Sequence, residues 1–534
     1  MRCFWSPRHV VSTGESRKKV DRLHSPLRLR VVKKTNVPND IVGHVRRRLT
    51  SPRAVLCLAI VCVGCDSFSV TEVLTQRGFP GSQPSLGASE EPPAEESPTQ
   101  AEEPPAEESP AAEEPRSPDE EPAGGQEVPV RPNILLITSD DQGVDASAQY
   151  PFTQVPPNTP TLDRLAANGL VFENTWATPA CTTTRGTIIT GQHAVNSGIN
   201  RIPSRLPTSA VTLYDHLSSS EVTEDYATAH IGKWHLSSPG PAPTDPNLAG
   251  GVDFFAGTLN GAIQDYNRWP LVEDGQTSTS TEYHTTAMAN LAEDWIEEQS
   301  QPWLLWLSFV APHTPLHLPP ASLHTRNLDG TDIDENPREY YLAAIEAMDT
   351  EIGRLLASMS EAERDNTVIF FLGDNGSPAQ AFDADVFARG HIKGSLYEGG
   401  VRVPFVASGF GVARGGEREA ALVNTVDLFP TIVELASNSE VSSPESVDGR
   451  SFAGLLSSGE APQRRFNYTE YLSNAVTGWA VRGERYKLIE FEDGTQELYD
   501  MEEGVDELNN LIDQDDLAET VQELATYAAG IQGR

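Results

Sequence analysis

Buried strands alternating with helices predict an α/β fold with a mixed, mostly parallel sheet flanked by helices, and a smaller antiparallel subdomain near the C-terminus. Three observations carry this. Apolar runs at 131–138, 303–310 and 366–373 read as buried strands. Helical spacing falls between them, at 161–169 with a glycine stop and at 340–356. Such alternation implies parallel pairing. From about residue 460 the pattern shifts to short strand-like runs, 478–481 and 486–491, and then a terminal helix at 517–531.

The 534 residues suffice for more than one domain. Residues 46–53 are basic and precede the apolar stretch 54–65, too short to span a bilayer as a permanent helix, which takes ~20 residues. This reads as an export signal. Val63-Gly64-Cys65 resembles the end of a bacterial lipobox, in which the cysteine is lipidated, and implies a periplasmic or cell-surface lipoprotein. Residues 1–44 do not belong to a signal peptide and read as an upstream extension from a start assigned too early, leaving 45–65 as the signal. Residues 66–130 are rich in Glu and Pro, repeat the sequence of 90–98 at 102–110, and read as an extended tether. The main α/β domain then occupies 131–459 and the smaller subdomain 460–534.

Charge narrows the partners. Residues 131–534 hold 58 acidic and 23 basic side chains, a net of −35. So acidic a surface repels phosphates, and nucleic acid is not an expected partner. Membrane attachment is expected only through the N-terminal lipid. Of those 23 bases only Lys233, Lys393 and Lys487 are lysines. A chain that otherwise uses arginine keeps lysine where a compact point charge is needed.

The chemistry-bearing segments follow. Asp140-Asp141 and Asp374-Asn375 each come directly after a buried strand, where open α/β sheets place their sites. Three carboxylates and an amide oxygen suit a hard divalent cation, Ca²⁺ or Mg²⁺, although either pair alone reads as a helix cap or Asx-turn. Cys181 is the one cysteine beyond residue 65, with no partner for a disulfide or a thiolate metal clip. It begins Cys181-Thr-Thr-Thr-Arg185-Gly, closed by Thr190-Gly191. In Gly232-Lys233-Trp234-His235, lysine and histidine two apart on an extended segment project to one face and could grip an oxyanion. Ala311-Pro312-His313-Thr314-Pro315 holds a histidine between two prolines, and Gly390-His391-Ile392-Lys393-Gly394 sets a lysine among glycines. In 237–274, Tyr266, Arg268 and Trp269 are placed either to contact a sugar ring or to pack.

In order and spacing these segments resemble the sulfatase family over about 131–515, adding Thr425-Val-Asp-Leu-Phe-Pro430 and Glu497-Leu-Tyr-Asp500. Where the family pattern has proline two residues after the cysteine, this chain has Thr183. The resemblance implies an alkaline-phosphatase-like fold and a formylglycine made from Cys181 by a maturation enzyme. It implies one Ca²⁺ held by Asp140, Asp141, Asp374, Asn375 and the modified Cys181. Arg185 would stabilise the nucleophile, and Lys233, His235, His313 and Lys393 would surround the sulfate. A hydrated aldehyde carries two hydroxyls on one carbon, one to attack sulfur and one to expel the sulfate afterwards; His313 or Lys393 would be the leaving-group acid and His235 the partner of the second hydroxyl. The substrate would be a sulfated small molecule or glycan. The alternatives are a phosphohydrolase or phosphonate hydrolase on the same fold, and an unmodified, inactive anion-binding protein.

Overall fold

The computed structural model describes residues 131–237, 246–439, 446–460 and 464–533; the extension, export signal and tether read in 1–130 lie outside the described residues. A ten-stranded sheet forms the centre, in the order β10-β2-β9-β8-β1-β7-β3-β4-β5-β6. The strands are β1 (Asn133–Ser139), β2 (Leu170–Trp176), β3 (Ala227–Lys233), β4 (Phe254–Thr258), β5 (Trp269–Glu273), β6 (Gln276–Ser280), β7 (Trp303–Ser308), β8 (Thr367–Gly373), β9 (Phe405–Gly409) and β10 (Glu417–Asn424). The five central strands, β8-β1-β7-β3-β4, are all parallel, while β9 and the β5–β6 hairpin run antiparallel.

The predicted strands pack as their composition requires. In β1, Leu135 and Ile137 enter one core while Ile134 and Leu136 enter the other. In β7, Leu305 and Leu307 oppose Leu304 and Trp306 in the same way. Side chains alternate between faces, so a strand covered on both sides must be apolar at every position. Helix α1 (Pro160–Ala167) opens on proline, whose missing N–H is an orphan there anyway. It stops before Gly169, where a Cβ would stand 2.2 Å from the Ala407 carbonyl. Cys181–Thr190 forms α2, and the long helix α3 (Pro337–Ser358) buries Tyr341, Leu342, Ile345, Met348, Ile352 and Leu355.

The hairpin at 269–280 was not anticipated, although its turn is written in the sequence. Asp274 and Gly275 both hold positive φ, 42° and 79°, the Asp-Gly signature of a two-residue hairpin. Beyond residue 464 a separate antiparallel sheet runs β11 (Asn467–Leu472), β12 (Thr477–Arg482), β13 (Tyr486–Phe491) and β14 (Gln496–Asp500) in sequence order. The last helix, α4 (Ala518–Gln532), lays Leu524, Ala528 and Ile531 against Val481, Leu488 and Leu498 of that sheet.

Candidate active site: an ion cage at the carboxyl edge of the sheet

Parallel pairing of β1 with β8, in a register that sets Ser139 beside Gly373, brings together two acidic pairs far apart in sequence. The Asp141 N–H donates to Asp374 Oδ1 at 3.0 Å, and Asn375 Nδ2 donates to Asp141 Oδ1 at 2.9 Å. Asp141 takes a left-handed backbone, φ 70°, turning the chain sharply off the strand.

Cys181 is the first residue of α2, entered from β2, and every residue of this helix is buried. Arg185 lies one turn on, along the same face. Its guanidinium donates to the Lys233 carbonyl at 2.6 Å, to Asp374 Oδ2 at 3.0 Å and to Ser308 Oγ. Ser308 ends β7 and donates in turn to the Lys233 carbonyl at 3.0 Å. Sequence reading missed this serine; a hydroxyl ending an otherwise apolar strand was its only signal.

Each carboxylate has its own cation. Lys233 Nζ bonds Asp140, Arg185 bonds Asp374, and Lys393 Nζ reaches Asp141 Oδ2 at 2.7 Å. Lys233, Arg185 and all three aspartates are at most 1% exposed, where unpaired charges would be expensive. His313 Nε2 lies 3.6 Å from Asp141 Oδ2. Its Nδ1 faces the Thr314 carbonyl at 2.7 Å, which can only accept, so Nδ1 carries the proton and Nε2 is the face turned to the site. The peptide bonds preceding Pro312 and Pro315 are both cis.

One expectation is corrected. Lys233 and His235 do reach the same site, but not as neighbours on one face of a strand. β3 ends at Lys233, and His235 takes φ 56°, so the pleat no longer sets its direction. Its ring reaches Cys181 instead, with Nδ1 3.1 Å from Sγ. The sugar-contact reading of Tyr266 and Trp269 is also replaced: both are 1% exposed and packed in the core, with Tyr266 Oη donating to the His313 carbonyl at 2.7 Å. Arg268 alone of the three is exposed.

The cage moves its own protonation equilibria. Burial raises Asp374 to about 7, with Asp140 adding to the rise and Arg185 opposing it. Burial also raises Asp140, against the pull of Lys233. For Asp141 burial is outweighed by His313, Lys393 and Lys233, which hold it near 2. Burial lowers His313 to about 4 and, with Lys233 and Arg185 nearby, keeps His235 neutral. Burial likewise raises the Cys181 thiol, so as a plain thiol it is a poor nucleophile at neutral pH.

The donor set fits a hard cation. Asp140 Oδ1 and Asn375 Oδ1 are buried without a hydrogen-bond partner. Ligand atoms of Asp140, Cys181 and Asp374 lie within 4.8 Å of one another, as do those of Asp140, Asp141 and His313. Carboxylate and amide oxygens with orphaned lone pairs are what Ca²⁺ takes.

At the start of α2 the threonines form a hydroxyl cluster. Thr183 Oγ1 donates to the Ala180 carbonyl at 2.8 Å and meets Thr178 Oγ1, while Thr184 Oγ1 accepts from the Thr178 N–H at 3.0 Å. Thr183 is thus accommodated by local bonds that proline could not make.

The third lysine lies outside the cage. Lys487 on β13 is fully buried, 2.7 Å from Glu507 Oε1 and 3.2 Å from Glu398 Oε1, and its Nζ sits 4.8 Å from the centre of the Trp176 ring. Trp176 Nε1 and Arg482 Nη1 also donate to Glu398, at 3.0 and 2.8 Å. Glu398 opens a short helix, Glu398–Val401, five residues past Lys393. One carboxylate therefore ties together the strand leading to Cys181, the segment carrying Lys393, and the C-terminal sheet.

A mostly parallel sheet with three buried acids, three fixed cations and a small cysteine side chain at its carboxyl edge makes a site suited to a charged ester. Residues 132–439 match the sulfatase family model, and 391–532 match the model for the N-sulphoglucosamine sulphohydrolase C-terminal region. The chain belongs to the sulfatase family, whose chemistry is sulfate-ester hydrolysis. It is 29% identical over 357 residues to arylsulfatase J of Mus musculus, a match covering 62% of this chain and 56% of that one. Against the ulvan-active sulfatase of Formosa agariphila the identity is 26% over 417 residues, 72% of this chain and 78% of the relative. The solved structure of Ps i-CgsB in complex with k-i-k-neocarrahexaose superposes with a TM-score of 0.65 at 25% identity, covering 75% of this chain and 93% of that chain.

Proposed function

We propose that this chain hydrolyses sulfate esters carried by a glycan, using a formylglycine made from Cys181 and one Ca²⁺. The observation that carries this reading is the convergence of Lys233, His235, His313 and Lys393 on Cys181 and the acid cluster, from three separate segments. The relatives support a glycan substrate: one is named for activity on ulvan, and the solved structure contains a neocarrahexaose.

Asp140, Asp141, Asp374 and Asn375 would hold the calcium with residue 181. When bound, it would polarise sulfuryl oxygens and lower the pKa of a hydroxyl on the modified residue 181. The buried thiol, with its raised pKa, would gain from conversion to a side chain carrying two hydroxyls on one carbon. Arg185, fixed by the Lys233 carbonyl, Ser308 and Asp374, would hold residue 181 in place. Lys233 and Lys393 would neutralise charge on the sulfuryl oxygens. Neutral His235 would accept a proton at Nδ1 from the group at 181, and Lys393 Nζ, beside Asp141, would protonate the departing alcohol oxygen, since neutral His313 carries its proton on Nδ1 and turns a bare Nε2 to the site. An N-terminal export signal and lipid anchor would place this activity at the cell surface, where sulfated polysaccharide is met.

The test combines a substrate panel with mass spectrometry. The native protein should cleave 4-nitrophenyl sulfate in preference to 4-nitrophenyl phosphate, release sulfate from at least one sulfated glycan, and lose activity on chelation until Ca²⁺ is restored. The tryptic peptide containing residue 181 should carry the mass of the aldehyde. A large phosphate preference would overturn the reading, and so would an unmodified thiol with no ester hydrolysis.

A further inference from the structure

His235 faces two neighbours with opposite edges of its ring. Nδ1 is 3.1 Å from Cys181 Sγ. The other edge lies over Gly261, in the loop after β4. A Cβ on Gly261 would stand 2.2 Å from His235 Nε2, 2.3 Å from Cε1 and 2.8 Å from Cδ2. All three nearest atoms belong to this one ring. Gly261 is not among the glycines with positive φ, so its backbone does not demand glycine. The space does.

The ring has little freedom to escape. The Trp234 N–H donates to the Thr258 carbonyl at 2.9 Å, and the Leu206 N–H donates to the Leu236 carbonyl at 3.1 Å, so both flanks of His235 are tied down. Its left-handed φ of 56° costs energy that persists only because this surrounding structure imposes it. The loop opposite is anchored through Ile263, 2% exposed in the main core. Only the two side-chain torsions of His235 remain adjustable, and those torsions aim Nδ1.

We propose that Gly261 is a positioning residue for the reaction: its missing side chain is the space that lets the His235 imidazole lie with Nδ1 directed at residue 181. This rests on the sulfatase reading of that residue. A methyl at 261 is accommodated by turning the ring, and the turned ring no longer addresses the nucleophile.

A double-mutant cycle tests this with 4-nitrophenyl sulfate as the probe. Gly261→Ala should lower kcat roughly 10- to 100-fold, the scale of a misplaced general acid or base. KM should change less than about twofold, because the loss is confined to the chemical step. In a His235→Ala chain, adding Gly261→Ala should change kcat less than about twofold, since the ring it would displace is gone. A Gly261→Ala enzyme with unchanged kcat, or an equal loss in both backgrounds, would overturn the proposal. Should Gly261→Ala alone not fold, the doubly substituted chain should fold with the melting temperature of His235→Ala, and its failure to do so counts against the idea. A wild-type chain with no sulfate-ester hydrolysis refutes the sulfatase reading instead. The positioning claim is then decided by whether Gly261→Ala lowers the melting temperature only when His235 is present.

Discussion

At the scale of single residues, the sequence names the groups and the fold supplies their partners. Asp140 and Lys233 share no local pattern, yet each is the other's ion-pair partner in the buried cage. Thr183 is the informative departure. As the third residue of α2 it lies in the first turn, whose N–H groups have no carbonyl within the helix to bond, so proline could stand there without breaking a helical bond. We expect Thr183→Pro to fold, at a cost of about 1 kcal/mol for the hydroxyl bonds lost. It should also raise the fraction of residue 181 converted to the aldehyde, measured by mass spectrometry of the tryptic peptide. An unchanged fraction would show that the maturation enzyme already accepts the threonine.

At the scale of elements, register does what spacing in sequence cannot. Pairing of β1 with β8 juxtaposes the two acidic pairs, and pairing of β7 with β3 sets Ser308 beside Gly232, where a Cβ on the glycine would meet the Ser308 carbonyl at 1.9 Å. The strands themselves were legible because doubly covered strands are apolar throughout. The β5–β6 hairpin was not: β6 is Gln-Thr-Ser-Thr-Ser, an exposed edge with nothing apolar to report. Among the elements, the buried cluster around Lys487 carries a prediction. Lys487→Met would leave Glu398 and Glu507 facing each other in the interior with one fewer cation. We expect roughly 3–5 kcal/mol of destabilisation by denaturant unfolding, the range for breaking one side of a buried ion pair. A loss below about 1 kcal/mol would mean that Arg482 and Arg402, whose Nη1 lies 3.7 Å from Glu398 Oε2, suffice to neutralise the site.

For the whole molecule, acidity and buried histidines set the response to pH. His230 and His284 are fully buried, and burial lowers each to about 3. The unfolded chain protonates them near 6.5. Their contribution to stability is therefore complete above about pH 6.5 and is lost as pH falls from there toward 3, by up to about 1.4 kcal/mol per pH unit for each histidine. His284 makes no hydrogen bond through either ring nitrogen. His284→Leu should therefore cost little at pH 7 and flatten the fall of unfolding free energy between pH 6 and 4 by up to about one proton's worth. An unchanged slope would show that His284 is already protonated in the folded state.

The sequence by itself determined the architecture and the inventory. Uninterrupted apolar runs of strand length, alternating with helices, read as strands covered on both faces, and acids directly after them then fall at the carboxyl edge. From that followed the α/β fold and the placing of Asp140, Asp141, Asp374 and Asn375, while the shift to short runs after 460 marked the antiparallel C-terminal sheet; Cys181, Arg185, Lys233, His235, His313 and Lys393 joined the roster through the resemblance of their segments to the sulfatase family. Tertiary structure decided which of these meet, and through which atoms. His235 turns to Cys181 through a left-handed backbone that no periodicity announces. Ser308, Glu398 and Gly261 gain their roles only from neighbours distant in the chain. The physical reason is the same in each case: periodicity records which side of an element is buried, whereas an ion pair, a hydrogen bond or a missing methyl depends on the residue packed opposite.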